Sequence, residues 1–219
     1  MISRKIAEQT LAEALRTGGD FAELFVQDKR SNTLSLVDGH IEDAVTGRLH
    51  GAGVRIYQGL NSIYVHTNDT SLAGLLAAAR KAADAVGSQD KAVDISLTGS
   101  VPTNIHAFRQ LPMDVSGARK ARLLRCANAA ARDVSAQIRQ VRATLAMSDG
   151  EVLIANSEGL LTQDRRVYTR FAIAAVAASD GENQTGFTGP GAFMGFELFE
   201  TRVDVEAKAR AAAEQAVTM

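Results

Sequence analysis

Leu34-Ser35-Leu36-Val37-Asp38-Gly39-His40-Ile41-Glu42, residues 34–42, decides the fold of this chain. Leu34 and Leu36 keep the period of two that marks a strand with one buried face. Asp38-Gly39 is the residue pair that best tolerates the two positive-φ positions of a type I′ turn. The stretch therefore predicts an antiparallel hairpin. Upstream, Ala22, Leu24 and Val26 alternate with Glu23, Phe25 and Gln27 and supply more strand. Downstream, Val54 to Tyr57 faces Ile63 and Val65 across Gln58-Gly59-Leu60-Asn61, a second hairpin. The meander is flanked by helices. Ala7, Leu11, Ala14 and Leu15 form one stripe that Gly18 and Gly19 end. Asn68-Asp69-Thr70-Ser71 offers N-cap oxygens to a helix carrying Leu72, Leu75, Leu76, Ala79 and Ala83 and ending near Gly87.

The same order returns in the second half. Periodicity is lost from Ser88 to Val115, which holds Pro102 and Pro112, and the stretch reads as an irregular connection. Ser116 then caps a helix through Asp133, with Leu123, Leu124, Ala127, Ala130 and Ala131 inward. Strand pattern follows from Ile138 to Met147, with Ser148-Asp149-Gly150-Glu151 read as a hairpin turn. Val152 to Ala155 leads to a second turn, Asn156-Ser157-Glu158-Gly159. In Arg166 to Ala178, the run Phe171 to Val176 is apolar on both faces and predicts a strand covered on both sides. Asp180-Gly181 turns into Gln184 to Phe187, and a helix from about Arg202 bears Val205, Ala209, Ala212, Ala213, Ala216 and Val217. The expectation is an α+β fold of two similar halves, each an antiparallel meander flanked by helices: residues 1–87, a connection over 88–115, and residues 116–219.

Composition narrows the function classes. Aromatic residues are 5% of the chain, Trp is absent and net charge is −1, which argues against base-stacking platforms and against attraction to nucleic acid or an anionic membrane. One cysteine, Cys126, allows no internal disulfide and no Cys-rich zinc site. No stretch approaches 18 apolar residues and no cleavable leader is visible, so the expected location is the cytoplasm.

No self-sufficient active site emerges. His40, His50, His66 and His106 are never three to five residues apart, as a hydrolytic zinc helix requires. His40 and Glu42 share a strand face and read as a solvated hairpin edge; His66 and His106 read as surface or loop residues. Cys126 lies mid-helix and reads as buried packing, since an activated thiolate needs a base or a helix N-terminus. Ser157 lacks a Gly-x-Ser-x-Gly setting. Gly51-Ala52-Gly53 runs into strand, and Gly186-Phe187-Thr188-Gly189-Pro190-Gly191 lacks the lysine of a phosphate loop, so both read as turns. Arg119, Lys120, Arg122 and Arg125 read as the solvated or partner-facing side of a helix.

Several tracts, taken in order, carry a family resemblance. Arg30-Ser31-Asn32, Asp38 to Glu42, Gly51-Ala52-Gly53-Val54-Arg55 and Thr67-Asn68-Asp69 resemble the start of TldD/PmbA proteins. Ile138 to Val141, Val152 to Gly159 and Gly186 to Gly191 are similar to the TldD branch more than to PmbA. The likeness implies a zinc metalloprotease that acts on unfolded peptides and forms a heterodimer with a paralogous subunit. In that family a His-Glu-x-x-x-His helix and a later Cys, all beyond this region, hold the zinc. The expectations are that zinc belongs to the full-length parent, that this chain has no catalytic, cofactor-binding or metal residue, and that it is inactive alone. Asp38, Gly39, Gly53, Arg55, Asn68, Asp69, Asn156, Ser157, Glu158 and Gly159 are taken as structural members of the family motifs. The first reading is thus a substrate-caging and dimerisation part of such a peptidase. The second is a non-enzymatic module that pairs with a full-length relative or with a partner such as DNA gyrase. Nucleic-acid binding ranks third. The amphipathic helix over 204–217 is expected to abut the absent half, so that the isolated chain self-associates or is less stable than the complete protein.

Overall fold

A computed structural model describes residues 1–87, 92–99, 106–179 and 181–219. Along the chain lie α1 (Arg4–Ala14), β1 (Phe21–Val37), β2 (His40–Gln58), β3 (Asn61–Thr67), α2 (Leu72–Val86) and β4 (Thr98–Gly99). A 3₁₀ turn at Pro112–Asp114 precedes α3 (Gly117–Arg132), β5 (Ile138–Asn156), β6 (Leu160–Ser179), β7 (Glu182–Thr188), β8 (Gly191–Ala192), α4 (Leu198–Thr201) and α5 (Val205–Thr218). The fold is α+β, and its halves repeat. A helix, strands of 17, 19 and 7 residues and a helix are followed by a helix, strands of 19, 20 and 7 residues and, after β8 and α4, a helix.

Local chemistry explains the element ends. Ser3, Ser71, Ser116 and Asp204 each accept a backbone N–H of the first helical turn, and Gly87 ends α2 at φ 72°. Asp38 at φ 49° and Gly39 at φ 86° make the type I′ turn between β1 and β2. The β5–β6 turn uses Asn156, whose Oδ1 accepts from the N–H groups of Glu158 and Leu160, both at 3.1 Å.

The sheet has the order β3-β2-β1-β5-β6-β4, with β7 and β8 also paired to β6. β3, β7 and β8 run antiparallel to their partners, and only the two residues of β4 run parallel to β6. The residues fall into two compact units. One comprises Met1–Lys29, Arg48–Asn104 and Gly150–Arg165; the other comprises Arg30–Gly47, Ile105–Asp149 and Arg166–Met219. The tip of each long hairpin is therefore counted with the helices of the other repeat. In the first unit α1 and α2 cover Ala22, Leu24, Val26, Val54 and Ile56. In the second, α3 and α5 lie over Leu34, Leu36, Val141, Leu145, Phe171 and Ile173.

Each hairpin tip is gripped in the same way. In the second unit the Asp38 N–H donates to the Val141 carbonyl, and the Val141 N–H donates back to Asp38 Oδ1, both at 2.9 Å. Arg132 Nη2 joins that oxygen at 2.5 Å. In the first unit the Ser157 N–H donates to the Ala22 carbonyl at 2.9 Å, and the Ala22 N–H returns to Ser157 Oγ at 3.0 Å. The motif residues Asp38 and Ser157 thus occupy equivalent places in the two repeats.

Three expectations are corrected. Ser148-Asp149-Gly150-Glu151 is not a turn; β5 runs through it, and Gly150 is where Lys29 comes close, since an added Cβ would lie 3.3 Å from Lys29 Cβ. Ala172, Ala174 and Val176 are only half-buried, because α3 and α5 share a core with the opposite face, Phe171, Ile173 and Ala175. The α5 stripe Ala209, Ala212, Ala213 and Ala216 is buried within the chain, against α3 and β7, rather than left to abut a further half, while Val217 is 37% exposed. The expected connection over 88–115 lies partly outside the described residues. Its described parts include β4, the buried Ile95 and Leu97, and the 3₁₀ turn.

Candidate functional site

The outer end of the β2–β3 hairpin in the first unit forms a groove of about 400 Å³. Phe25 and Gln27 of β1, Leu49 to Gly53 of β2, Tyr64, His66 and Thr67 of β3 and the following Asn68 line it, and Tyr64, His66 and His50 are its chemically distinctive groups. Pairing Gly53 with His66 and Arg55 with Tyr64 puts these residues on one face of the sheet. A Cβ on Gly53 would meet Tyr64 Oη at 2.2 Å, and one on Gly51 would meet the Thr67 carbonyl at 2.7 Å. The glycines thus let Tyr64 and the 67–70 turn lie against β2. The Tyr64 ring stacks near His66 at 6.2 Å, with the Arg55 guanidinium 5.1 Å from its centre.

His50 was assigned no role from sequence, yet it is the best-connected titratable group here. Its Nε2 is 3.0 Å from Thr70 Oγ1, and its Nδ1 is 3.5 Å from Asp28 Oδ2. Hydroxyl, imidazole and carboxylate in that order have the composition of a nucleophile relay. The relay is incomplete: Arg48 donates to both Asp28 oxygens, at 2.9 and 2.6 Å, and His50 Nδ1 is buried without a hydrogen bond. The group pins the 67–70 turn onto β2. Nothing in sequence spacing could have found it, because Asp28, His50 and Thr70 meet only through strand pairing.

Other titratable residues depart from expectation. Cys126 is exposed rather than buried, because Ala127, Ala130 and Leu124 take the inward side of α3. Lys120 is 5% exposed, so it does not belong to a solvated basic face. Its Nζ donates to Asn32 Oδ1 at 2.9 Å, and burial lowers its pKa. Among the described residues, no three of His, Cys, Asp and Glu gather as a metal site would need. His50 and Asp28 adjoin, but they are two groups, and Arg48 already pairs with that carboxylate, so the arrangement does not suit a catalytic zinc.

The model of the PmbA/TldA metallopeptidase domain 1 matches residues 22–86, and that of the central domain of the same family matches residues 111–219. The chain belongs to the PmbA/TldD family. A metalloprotease TldD homolog of Haemophilus influenzae is 26% identical over 204 residues, covering 90% of this chain and 42% of the relative. A metalloprotease of Methanothermobacter thermautotrophicus is 26% identical, over 91% of this chain and 43% of its own length. The chain thus spans about two fifths of these curated relatives. In fold it is similar to a candidate DNA gyrase modulator of Thermotoga maritima, at 14% identity and a TM-score of 0.75, covering 97% of this chain and 47% of that one.

The PmbA/TldD motif positions fall in turns and close contacts. Gly39 takes positive φ beside Asp38, and Gly159, at φ 96°, offers its carbonyl to the Thr98 N–H at 2.7 Å. Asp69 Oδ1 accepts from the Ser71 N–H at 2.9 Å, and the Ser71 hydrogen bonds hold that carboxyl below its usual range. Asn68 lines the groove, and Glu158 is exposed at the turn. In the second unit, residues 42–47 of β2 are exposed on both faces and Val45 is 58% exposed. β3 pairs only residues 52–58 of β2, so among the described residues no strand covers the outer edge at 42–47. No helix among the described residues is long and apolar enough to cross a membrane.

Proposed function

We propose that this chain is the substrate-selecting and subunit-pairing N-terminal part of a TldD-type zinc metallopeptidase that acts on unfolded polypeptide. Hydrolysis, and the zinc expected in the full-length parent, are assigned to the complete protein. The open β2 edge carries the reading. In a two-residue hairpin closed by Val37 and His40, residues 41, 43 and 45 turn their N–H groups away from β1, while the Val45 carbonyl accepts from Asn32 Nδ2 at 3.3 Å. An extended peptide adds to such an edge through main-chain hydrogen bonds, nearly independently of sequence, whereas a folded protein has no free strand to offer. Glu42 and Asp43 place charge on the edge, which opposes uncontrolled sheet growth. The same exposed ribbon suits a paralogous subunit, which would cover Val45.

Fluorescence anisotropy with a labelled, extended polar peptide tests this reading. Millimolar binding by the chain, weakened about tenfold by Val45→Pro with unchanged circular dichroism, is the expected result. Absence of binding, or equal binding by the variant, refutes it. A second reading is an interaction module without hydrolytic activity, working beside a full-length relative or DNA gyrase. It is favoured by the fold likeness to the candidate gyrase modulator. The coding sequence past codon 219 separates the two: an in-frame His-Glu-x-x-x-His supports the peptidase, and an immediate stop supports the module.

A further inference from the structure

We propose that the loop between β7 and β8 forms, with Arg170 of β6, a docking surface for a polypeptide segment that carries a carboxylate next to an apolar side chain. The surface lies wholly within the second unit and does not depend on the peptidase reading.

The loop is held on both sides. Phe187 pairs with Ala174 and Thr188 with Ile173, while Gly191 pairs with Arg170 and Ala192 with Thr169. Between them the Phe171 N–H donates to the Pro190 carbonyl at 2.9 Å. Two phenyl rings stand out from this fixed frame, Phe187 and Phe193, each 53% exposed. Phe193 is steadied by the Tyr168 and His106 rings, both with centroids at 5.5 Å. Gly189 is the point where the Phe187 ring and Arg170 converge: an added Cβ would lie 2.9 Å from the ring and 3.1 Å from Arg170 Nη2. The guanidinium therefore sits beside an exposed ring.

Charge identifies the occupant. Arg170 is exposed, and no carboxylate pairs with it among the described residues. Aromatic rings beside an arginine on a rigid frame are the composition of interface hot spots. A guanidinium fork selects a carboxylate, and the rings beside it select an apolar neighbour. Preorganisation keeps the ordering cost of docking low.

The probe is a fluorescein-labelled hexapeptide with one glutamate between two leucines, compared with peptides carrying glutamine or lysine there. The glutamate peptide should bind the chain about tenfold more tightly than the glutamine peptide. Arg170→Gln should remove that preference, and Phe193→Ala should weaken the glutamate peptide by a similar factor. Val45→Pro should leave this binding unchanged, which separates its failure from failure of the edge-strand reading. Equal binding of the three peptides, no binding at millimolar concentration, or insensitivity to both Arg170→Gln and Phe193→Ala overturns the proposal.

Discussion

Glu197 and Lys120, both buried in the second unit, tie stability to opposite ends of the pH range. Glu197 is 1% exposed. Burial pushes its carboxyl up, but the backbone N–H groups of Arg109, Gln110, Glu197 itself and Gly195 outweigh that and hold it below 4.5. Its stabilisation is complete above the unfolded value and is lost as pH falls through the depressed one. Glu197→Gln should cost about 1–3 kcal/mol at neutral pH, and urea titrations should show the gap to wild type closing in acid. Lys120 works the other way. Burial lowers its pKa from 10.5, so the cost of holding the charged form is full below the folded pKa and disappears as pH rises toward 10.5. The stability of Lys120→Met relative to wild type should therefore decline as pH rises toward 10.5 in the same titrations. The inward place of Lys120 was legible in sequence, since it precedes Leu124, Ala127 and Ala131 by helical spacings, but its charge argued for solvent. Only the Asn32 side chain, 88 residues away, shows why burial is tolerated.

At the scale of elements, small residues decide how closely layers approach. A Cβ on Gly186 would lie 1.9 Å from the Ala212 carbonyl and 2.8 Å from the Ala216 N, both α5 backbone. Gly186→Ala must displace a whole helix, so it should cost about 1–3 kcal/mol or more and shift the thermal midpoint down accordingly. Gly53→Ala meets only the movable end of the Tyr64 ring and should be milder in the same melts. Helix starts, the type I′ turn and the amphipathic stripes were readable because they depend on residues a few positions apart. The Asp149-Gly150 pair was misread because local turn preference yields to a neighbouring strand, here Lys29 across from Gly150.

In the whole molecule, the two repeats do not coincide with the two compact units. The unit containing α1 and α2 includes Gly150–Arg165 from the second repeat, and the unit containing α3 and α5 includes Arg30–Gly47 from the first. Polypeptides 1–87 and 116–219 made separately should therefore each fail to melt cooperatively, and co-expression should restore a cooperative transition. A sharp transition from either piece alone contradicts this. By itself the sequence determined the α+β class, the duplicated order of elements and the family, because these rest on local periodicity and on short motifs in register. The tertiary structure alone decided which hairpin tip joins which helices, that α5 is covered, and that Asp28, His50 and Thr70 meet. Those are contacts between residues far apart in the chain, set by strand pairing and close packing, and no pattern of neighbouring residues encodes them.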